Sequence, residues 1–368
     1  MIKSKKEVKD KKIHKLARKD LIHIEFMRII AIYLVLFNHT GKKGYALFTI
    51  AKESPMYWVY LFISILDKIA VPLFFMISGA LLLGKDEKIS DVYRKRILKF
   101  VIVLITTSLC YEMYYAYFGN SQIGFGEMLV KIYSKNTSVA LWYLYAYIGV
   151  LVMLPLLRKL ANAMSDKEYI YLFVCHLVIV GIIPIVQYIM SRGTVGLNPK
   201  FSTALFTQSN IFYVLIGYYI EKKLDKKYFN KRNVYIGLVA SFIAISISCF
   251  MTDYNIYITG IDKESNFVFH NSLVSVPTIA VYFTFKYMFE QVKVSSFNAN
   301  LIRFIGGTTF GIYLMEKMLR DRTAFIFNYL KPTLHTLPAT IIWIAFACIV
   351  GCIVVSVLKK IPIVRDYL

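Results

Sequence analysis

IEFMRIIAIYLVLFNH, residues 24–39, is an apolar stretch that carries three ionisable side chains, Glu25, Arg28 and His39. An ionisable group inside a membrane segment costs roughly 2.5–3.5 kcal/mol on insertion scales, so these residues are candidates for function. The 11 positions from Arg28 to His39 make almost three helical turns, which puts both on one face about 16 Å apart along the axis. Glu25 lies one turn before Arg28 on that face. The stretch predicts a transmembrane helix with one polar face.

The composition of the whole chain is that of a membrane protein. Of the 368 residues, 57% are hydrophobic and 18% are charged, whereas soluble domains have about 45–50% apolar and about 25% charged residues. So little polar surface cannot cover a soluble core of this size. The composition excludes soluble globular, disordered and secreted disulfide-rich proteins. Because open strands are unstable in lipid, it predicts an all-α polytopic membrane protein.

Ten stretches are mostly apolar and close to the length of about 20 residues that spans a bilayer as a helix. They are 22–39, 57–84, 97–118, 139–157, 169–190, 203–220, 234–252, 266–289, 301–316 and 339–358. The ninth is short and the second is long, so their boundaries are the least well defined. We therefore predict about ten transmembrane helices.

The basic residues predict the orientation of these helices, since Lys and Arg concentrate on the cytoplasmic side of membranes. With a cytoplasmic N-terminus, 30 of the 44 Lys and Arg residues fall in cytoplasmic segments. Those segments are 1–21, 85–100, 158–168, 221–233, 286–303 and 359–368. Both termini are then cytoplasmic, and the net charge of +22 needs no nucleic-acid partner. The predicted organisation is a retained basic tail (1–21), a single transmembrane domain (22–358) and a short tail (359–368).

The polar face of the first helix has two interpretations. In one, Glu25 and Arg28 form an interfacial ion pair and His39 caps the helix or reaches the interface. In the other, the three residues line a cavity that opens to both sides of the membrane. Imidazole titrates near neutrality, which suits a general base or an acyl carrier. The functional interpretation therefore takes His39, Arg28 and Glu25 as the catalytic candidates.

Two further patterns flank the second predicted helix. VPLFFMISGALLL places Pro72 and the pair Ser78-Gly79 in it, and small residues there allow either close helix packing or backbone access to a ligand. After it, DVYRKRILKF carries four cations. These cations suit an ordinary cytoplasmic flank, and they equally suit a phosphorylated cytosolic donor, because guanidinium groups bind phosphate bidentately. The cluster consists of Arg94, Lys95, Arg96 and Lys99.

The remaining candidates lie at the predicted outer ends of later helices. Most of the aromatic residues there suit an interfacial aromatic belt, and some are candidates for substrate contacts. A carboxylate opposite His39 would orient its ring, and the sequence leaves open which one does so. These residues are Trp142, Tyr143, Tyr145, Tyr147, Tyr313, Glu316 and Glu112.

The cysteines and two histidines are expected to have structural roles. All five cysteines lie in apolar stretches without a CxxC pair, so we expect neither a disulfide nor a metal site. His176 and His270 lie in apolar runs without partners at a suggestive spacing. The cysteines are Cys110, Cys175, Cys249, Cys348 and Cys352.

Taken together, these motifs resemble the integral-membrane acyltransferase family 3. The resemblance rests on an acidic residue, Arg three positions later and His eleven beyond that in the first helix, here with Glu25 in place of the usual Asp. Further matches are P-x-F-F-x-x-S-G-x-L-L at 72–82, the basic run at 94–96, W-[FY]-L at 142–144 and G-I-Y-L at 311–314. The five motifs occur in the family's order over essentially the whole chain. Many members have His soon after Y-L, where this chain has Met315-Glu316.

The resemblance implies acyl transfer, commonly from acetyl-CoA, to a hydroxyl of a cell-envelope saccharide in a bacterial cytoplasmic membrane. The acceptor would be a capsule or exopolysaccharide unit or a lipid-linked sugar, as in members without a fused esterase-like domain. In this hypothesis Arg94, Arg96, Lys99 and Ser78 bind acyl-CoA at the cytoplasmic mouth, and no metal takes part. Substrate contacts come from Trp142, Tyr143, Tyr313 and Glu316.

The pantetheine arm would run from Arg28 to His39, which either deprotonates the acceptor or is itself acylated. A ternary complex is predicted for the first route and ping-pong kinetics for the second. A rival interpretation is a secondary transporter or lipid-linked saccharide flippase, which is compatible with ten helices, a charged first helix and Pro-interrupted segments. A non-catalytic scaffold would leave the polar face of the first helix unexplained.

Overall fold

The computed structural model describes residues 21–119, 124–192, 194–196, 198, 208–261 and 264–368. Within these ranges the chain is helical and contains no β-strand, which confirms the all-α prediction. The predicted basic tail (1–21) lies outside the described residues except for its last residue, as does most of the N-terminal half of the predicted stretch 203–220.

The helices are numbered here in chain order. They are α1 (Ile22–Asn38), α2 (Tyr57–Asp67), α3 (Ala70–Leu82), α4 (Leu98–Gly119), α5 (Phe125–Ser134), α6 (Trp142–Ala163), α7 (Asp166–His176), α8 (Ile183–Ser191), α9 (Ser209–Tyr218), α10 (Lys231–Thr259), α11 (Ser275–Gln291), α12 (Ser296–Gly306), α13 (Thr309–Leu314), α14 (Glu316–Leu330), α15 (Thr336–Leu358) and α16 (Pro362–Tyr367). A short helix, Ile89–Val92, and a π-helical turn, Tyr93–Ile97, lead into α4.

Seven helical segments in the described part of the chain are long and apolar enough to cross a membrane. They are Tyr57–Leu82, Ile89–Gly119, Val139–Ala163, Asp166–Ser191, Lys231–Thr259, Asn266–Gln291 and Thr336–Leu358. Each overlaps a predicted stretch, so the protein is a multi-pass membrane protein. The count of ten and the orientation of the termini stay predictions.

The predicted stretch 301–316 is divided among three helices instead of forming one. α12 ends at Gly306, and α14 starts only at Glu316. Two consecutive glycines have low helix propensity, and the Thr308 hydroxyl donates to the carbonyl of Ile305 at 2.7 Å, a local bond that competes with the helical ladder. The division matters for the site because it places Glu316 at the start of a new helix.

The long second span is also interrupted, between α2 and α3. Proline has no N–H group, and its ring clashes with the carbonyl four residues earlier. Pro72 therefore accounts for the interruption at Lys68, which lies four positions before it. The interruption leaves Asp67 as the last residue of α2.

α1 is the central helix of the bundle. It packs against α3, α11, α12, α13, α14 and α15. Its buried residues include Met27, Ala31 and Leu36, each with 0% exposed surface. Because α1 is packed on several sides, its ionisable side chains lie within the bundle, and none of them is fully exposed.

α3 and α9 are in very close contact through two glycines. A Cβ atom at Gly79 would lie 1.8 Å from a backbone carbonyl oxygen of α9, and one at Gly217 would lie 2.1 Å from a backbone carbonyl oxygen of α3. Small residues allow helix backbones to approach in this way. In the pair Ser78-Gly79, the glycine therefore serves packing, which leaves Ser78 on another face of α3.

Candidate active site

A cavity of about 300 Å³ runs beside α1 and contains most of the residues singled out from the sequence. We call it the Arg28 cavity. The predicted site residues that line it are Arg28, His39, Ser78, Lys99, Trp142, Tyr143 and Tyr313. The face shared by Arg28 and His39, expected from helical periodicity alone, is thus present. Four predicted site residues lie outside its lining: Glu25, Arg94, Arg96 and Glu316.

Glu25 holds the guanidinium of Arg28. Arg28 Nη1 donates to both carboxylate oxygens of Glu25, at 2.9 and 3.1 Å. The backbone of α12 comes close at Gly306, where a Cβ atom would lie 2.5 Å from Glu25 Oε2. The ion pair of the first interpretation therefore exists, and its cation nevertheless lines the cavity. Glu25 fixes the position of Arg28 from outside the cavity.

His39 faces a carboxylate from the other end of the chain. His39 Nδ1 lies 3.4 Å from Glu316 Oε2, an ion-pair distance that is long for a hydrogen bond. The Glu316 side chain is only 1% exposed, and it occupies the first position of α14, where the helix dipole favours negative charge. The carboxylate opposite His39 is therefore Glu316. Glu112, the other candidate, pairs with Lys131 instead, at 2.6 Å.

Arg320 connects both members of this pair and was not a candidate from the sequence. Its Nε donates to Glu316 Oε2 at 2.9 Å, and its Nη1 donates to the backbone carbonyl of His39 at 2.7 Å. Residues four apart share a helix face, so the spacing of Glu316 and Arg320 was the available signal. A carboxylate held in this way can keep the imidazole in one tautomer and stabilise its protonated form. Since Nδ1 faces Glu316, Nε2 is the nitrogen left for a substrate.

The wall opposite α1 is aromatic. The Tyr143 ring packs edge-on against Tyr313, with ring centroids 5.5 Å apart, and lies 4.9 Å from the ring of Phe75. The Tyr313 hydroxyl donates to the carbonyl of Ala140 at 2.8 Å, which gives Tyr313 a structural role in the wall. The Tyr145 hydroxyl also bonds to a backbone carbonyl, away from the cavity. The Ser78 hydroxyl donates to the carbonyl of Phe74 at 2.8 Å, so it is engaged within α3, and Tyr143 remains the candidate hydroxyl of this wall.

The basic residues after α3 are divided between two environments. Arg96 Nε donates to Glu87 Oε2 at 2.8 Å, and Arg158 Nη2 donates to the same oxygen at 2.8 Å. The hydrogen bond from Arg96 holds the pKa of Glu87 down to about 2, so the pair remains charged at any physiological pH. Arg96 is therefore engaged within the protein, whereas Arg94 is exposed and Lys99 lines the cavity.

A second ammonium group, that of Lys359, lies close to Lys99. Burial lowers the pKa of Lys359, and the nearby charge of Lys99 lowers it further. Two ammonium groups close together repel each other, so a bound anion would stabilise their charged forms. Lys359 was not a candidate from the sequence, because it belongs to a segment that could equally be an ordinary basic tail.

A second cavity, of about 360 Å³, adjoins the first at His39. We call it the Asp67 cavity. Both cavities are lined by Val35, His39, Val71 and Trp142. His39 thus lies where the two cavities adjoin. The other polar lining residues of the Asp67 cavity are Asn38, Asp67, Lys68, Ser209, Asn210, Tyr213 and Asn271.

Comparison with known proteins identifies the family. The family model described as an acyltransferase domain, family 3, matches residues 21–360, which is nearly the whole chain. The chain belongs to this acyltransferase family. No curated protein and no solved structure matches it. The protein is thus a membrane acyltransferase, and the family resemblance inferred from five short motifs is confirmed.

In this acyltransferase His176 and His270 line neither the Arg28 cavity nor the Asp67 cavity. His176 stacks on Phe212, with ring centroids 3.7 Å apart. His270 Nδ1 lies 3.0 Å from the Tyr45 hydroxyl and its residue is fully buried. Among the described residues, no three His, Cys, Asp or Glu side chains are grouped so that they could hold a metal ion. Of the histidines in the described ranges, His39 alone lines the two cavities.

Proposed function

We propose that the enzyme transfers an acyl group, in the first instance acetyl, from cytosolic acyl-CoA to a hydroxyl of a cell-envelope saccharide. The acceptor is a capsule or exopolysaccharide unit or a lipid-linked sugar, and the enzyme works in a bacterial cytoplasmic membrane. The observation that carries this proposal is the position of His39 between two chambers. A transfer between substrates from opposite sides needs a reactive group that both chambers reach.

The Arg28 cavity suits the donor. It extends along α1 from Arg28 to His39, a distance of about 16 Å, which matches the long, thin pantetheine arm of coenzyme A. Lys99 lines this cavity, and Lys359 lies near Lys99. Together with exposed Arg94 they provide cations for the phosphates of the donor, which are expected to remain at the mouth.

In the proposed reaction His39 acts as a general base. His39 Nε2 takes the proton from the acceptor hydroxyl while the hydroxyl oxygen attacks the thioester carbonyl. Glu316 stabilises the imidazolium that forms. The Tyr143 hydroxyl is the candidate donor to the oxyanion. When the C–S bond breaks, the imidazolium returns the proton to the leaving sulfur, so an ester and free coenzyme A are formed.

Acylation of His39 by the thioester, followed by transfer to the hydroxyl, uses the same atoms in two steps. Initial-velocity kinetics separate the routes. Intersecting double-reciprocal lines support the ternary complex, and parallel lines support the acyl-histidine.

The test uses the full-length protein in lipid nanodiscs with radiolabelled acetyl-CoA and a saccharide extract of the source membranes. Coenzyme A release is followed by mass spectrometry, because the free cysteines of the chain would react with thiol reagents. His39→Gln is expected to lower transfer by about 10²–10⁴-fold, the usual contribution of a general base. The matched control is His335→Gln, at an exposed histidine before α15. Wild-type transfer by His39→Gln would contradict the proposal, and substrate translocation without thioester cleavage would favour the transporter.

A further inference from the structure

The Asp67 cavity contains a carboxylate that the reaction at His39 does not use. Asp67 is 1% exposed, and its Oδ2 accepts a hydrogen bond from Asn38 Nδ2 at 2.6 Å. Its other oxygen, Oδ1, is buried and has no hydrogen-bond partner among the described residues. Buried carboxylate oxygens are normally paired, since an unmade bond to a charged group is costly. An unpaired oxygen in the lining of a cavity indicates a partner that enters from outside.

The position of Asp67 makes this free oxygen more unusual. Asp67 is the last residue of α2, and the negative end of a helix dipole disfavours a carboxylate. The adjacent Lys68 also lines the cavity, but its ammonium lies over the Tyr45 ring, 4.5 Å from the centroid. Asp67 Oδ1 thus has no hydrogen-bond partner among the described residues although a cation is adjacent in the sequence, which points to a role in binding.

Asp67 is linked to the reactive group through the neighbouring residue in the chain. Asn38, which holds Asp67, is the residue directly before His39. Asp67 and His39 also line the same cavity, so a single ligand in it can reach both side chains. A carboxylate can only accept hydrogen bonds, so the ligand must supply a hydroxyl or another donor. A molecule that offers one hydroxyl to Asp67 and another to His39 carries hydroxyls on neighbouring carbon atoms.

The rest of the lining has the character of a site for a polyhydroxylated ring. Asn210 and Asn271 carry both donors and acceptors, and Phe75, Tyr213 and Trp142 supply apolar faces. A sugar ring presents hydroxyls at its edge and C–H groups on its faces. The volume of about 360 Å³ lies within the range of about 300–1,000 Å³ for small-molecule sites.

We propose that the Asp67 cavity is the acceptor site and that Asp67 recognises the hydroxyl adjacent to the one that is acylated. The acceptor class is a pyranose with vicinal hydroxyls. This inference rests on the proposed function and deepens it. Asp67 is a specificity residue, and the proton transfer remains with His39.

The experiment measures acyl transfer from acetyl-CoA to methyl α-glucopyranoside, methyl α-galactopyranoside, 1-propanol and water, with products identified by mass spectrometry. The wild type is expected to acylate at least one glycoside with a higher kcat/KM than 1-propanol, which has no second hydroxyl. Asp67→Asn keeps the shape of the side chain and removes the charge that the sugar hydroxyl would contact. It is expected to raise the KM for the glycoside by about 10- to 100-fold, the value of a hydrogen bond to a charged group. Transfer to 1-propanol, thioester hydrolysis and the KM for acetyl-CoA should not change.

Two further variants separate recognition from folding. Asn271→Ala changes an exposed residue of the same cavity, so it should fold normally and raise only the acceptor KM. Asp253→Asn is the matched control, because Asp253 is a carboxylate of α10 that pairs with Lys52 and the Tyr57 hydroxyl outside the cavity. It should leave acceptor selectivity unchanged.

The outcomes are distinct. Equal loss of transfer to glycoside and 1-propanol in Asp67→Asn would overturn the inference, as would a wild type that prefers 1-propanol. An enzyme that cleaves no thioester with any acceptor, His39 intact, would overturn the proposed function and this inference with it. Selective loss of glycoside transfer, with propanol transfer and hydrolysis retained, supports both.

Discussion

Replacing Glu316 with glutamine tests the central contact of the site. The substitution keeps the shape of the side chain but removes its charge, 3.4 Å from His39 Nδ1. Without the carboxylate, the imidazolium that forms during proton transfer loses its counter-charge, and the ring loses the group that sets its tautomer. We expect kcat to fall by about 10²–10⁴-fold, which is the range for impaired general acid–base catalysis. The KM values for both substrates should stay unchanged, because Glu316 lines neither cavity.

The same substitution affects stability through Arg320, whose side chain is 14% exposed. Breaking a buried ion pair by removing one partner costs about 3–5 kcal/mol. The cost here should lie at the lower end, because the amide oxygen of the introduced glutamine still accepts a hydrogen bond and Arg320 keeps its bond to the His39 carbonyl. Adding Arg320→Gln removes the uncompensated cation, so the double variant should regain thermal stability without regaining activity. That separation distinguishes a catalytic defect from misfolding.

The assay measures coenzyme A release and ester formation by mass spectrometry, with thermal unfolding followed in parallel. Asp321→Asn is the matched control. It removes a carboxylate of the same helix that also pairs with a residue four positions away, Lys317 Nζ at 2.8 Å, but in an exposed position. Such pairs contribute only about 0.2–0.5 kcal/mol, so the control should retain activity and stability. If Glu316→Gln were as active as this control, the role assigned to the His39–Glu316 contact would be refuted.

Three further substitutions test the surroundings of the site. Gly79→Ala places a Cβ atom 1.8 Å from a backbone carbonyl oxygen of α9 and should lower the melting temperature, at a cost of about 1–3 kcal/mol or more. The control Gly149→Ala, in open space on α6, should leave the melting temperature unchanged. Equal melting temperatures for the two variants would contradict the close packing of α3 against α9. Lys99→Met combined with Lys359→Met should raise the KM for acetyl-CoA while leaving kcat intact, and an unchanged KM would place the donor phosphates elsewhere. Glu87→Gln should reduce stability by releasing two guanidinium groups. Since the carboxyl of Glu87 in the folded protein has a depressed pKa of about 2, the loss of unfolding free energy relative to wild type should be full above about pH 4.5. This loss should disappear as the pH falls towards 2. A difference that persists at pH 2 would contradict this assignment.

The shared face of Arg28 and His39 could be predicted because it depends on one helix only. Helical periodicity fixes the angular positions of residues along α1 whatever surrounds it. The composition indicated the membrane environment and the helical class in the same way, since both follow from what lipid allows. What lies opposite that face is set by tertiary packing. Glu316 is 277 positions from His39 in the sequence, and no local pattern could choose it over Glu112.

The basic residues after α3 show a second limit of sequence reasoning. Arg94, Arg96 and Lys99 have the same chemical character in the sequence, and all three were assigned to the donor. The structure separates them, since Arg96 is held by Glu87 while Lys99 lines the cavity. The different surroundings of Arg96 and Lys99 depend on the path of the chain between α3 and α4. A π-helical turn at Tyr93–Ile97 changes the direction in which successive side chains point there.

The length of α1 explains how one residue can serve substrates from both sides of a membrane. With 17 residues, α1 is about 25 Å long, shorter than the hydrocarbon core of about 30 Å. If α1 starts at the cytoplasmic surface of the hydrocarbon core, as the predicted orientation requires, His39 lies below the far surface, and the Asp67 cavity would take up the remaining depth. Val35, Val71 and Trp142 surround His39 where the two cavities meet. In the proposed reaction only the acyl group has to pass this junction. Coenzyme A then stays on one side and the acceptor on the other, and neither molecule has to cross the membrane.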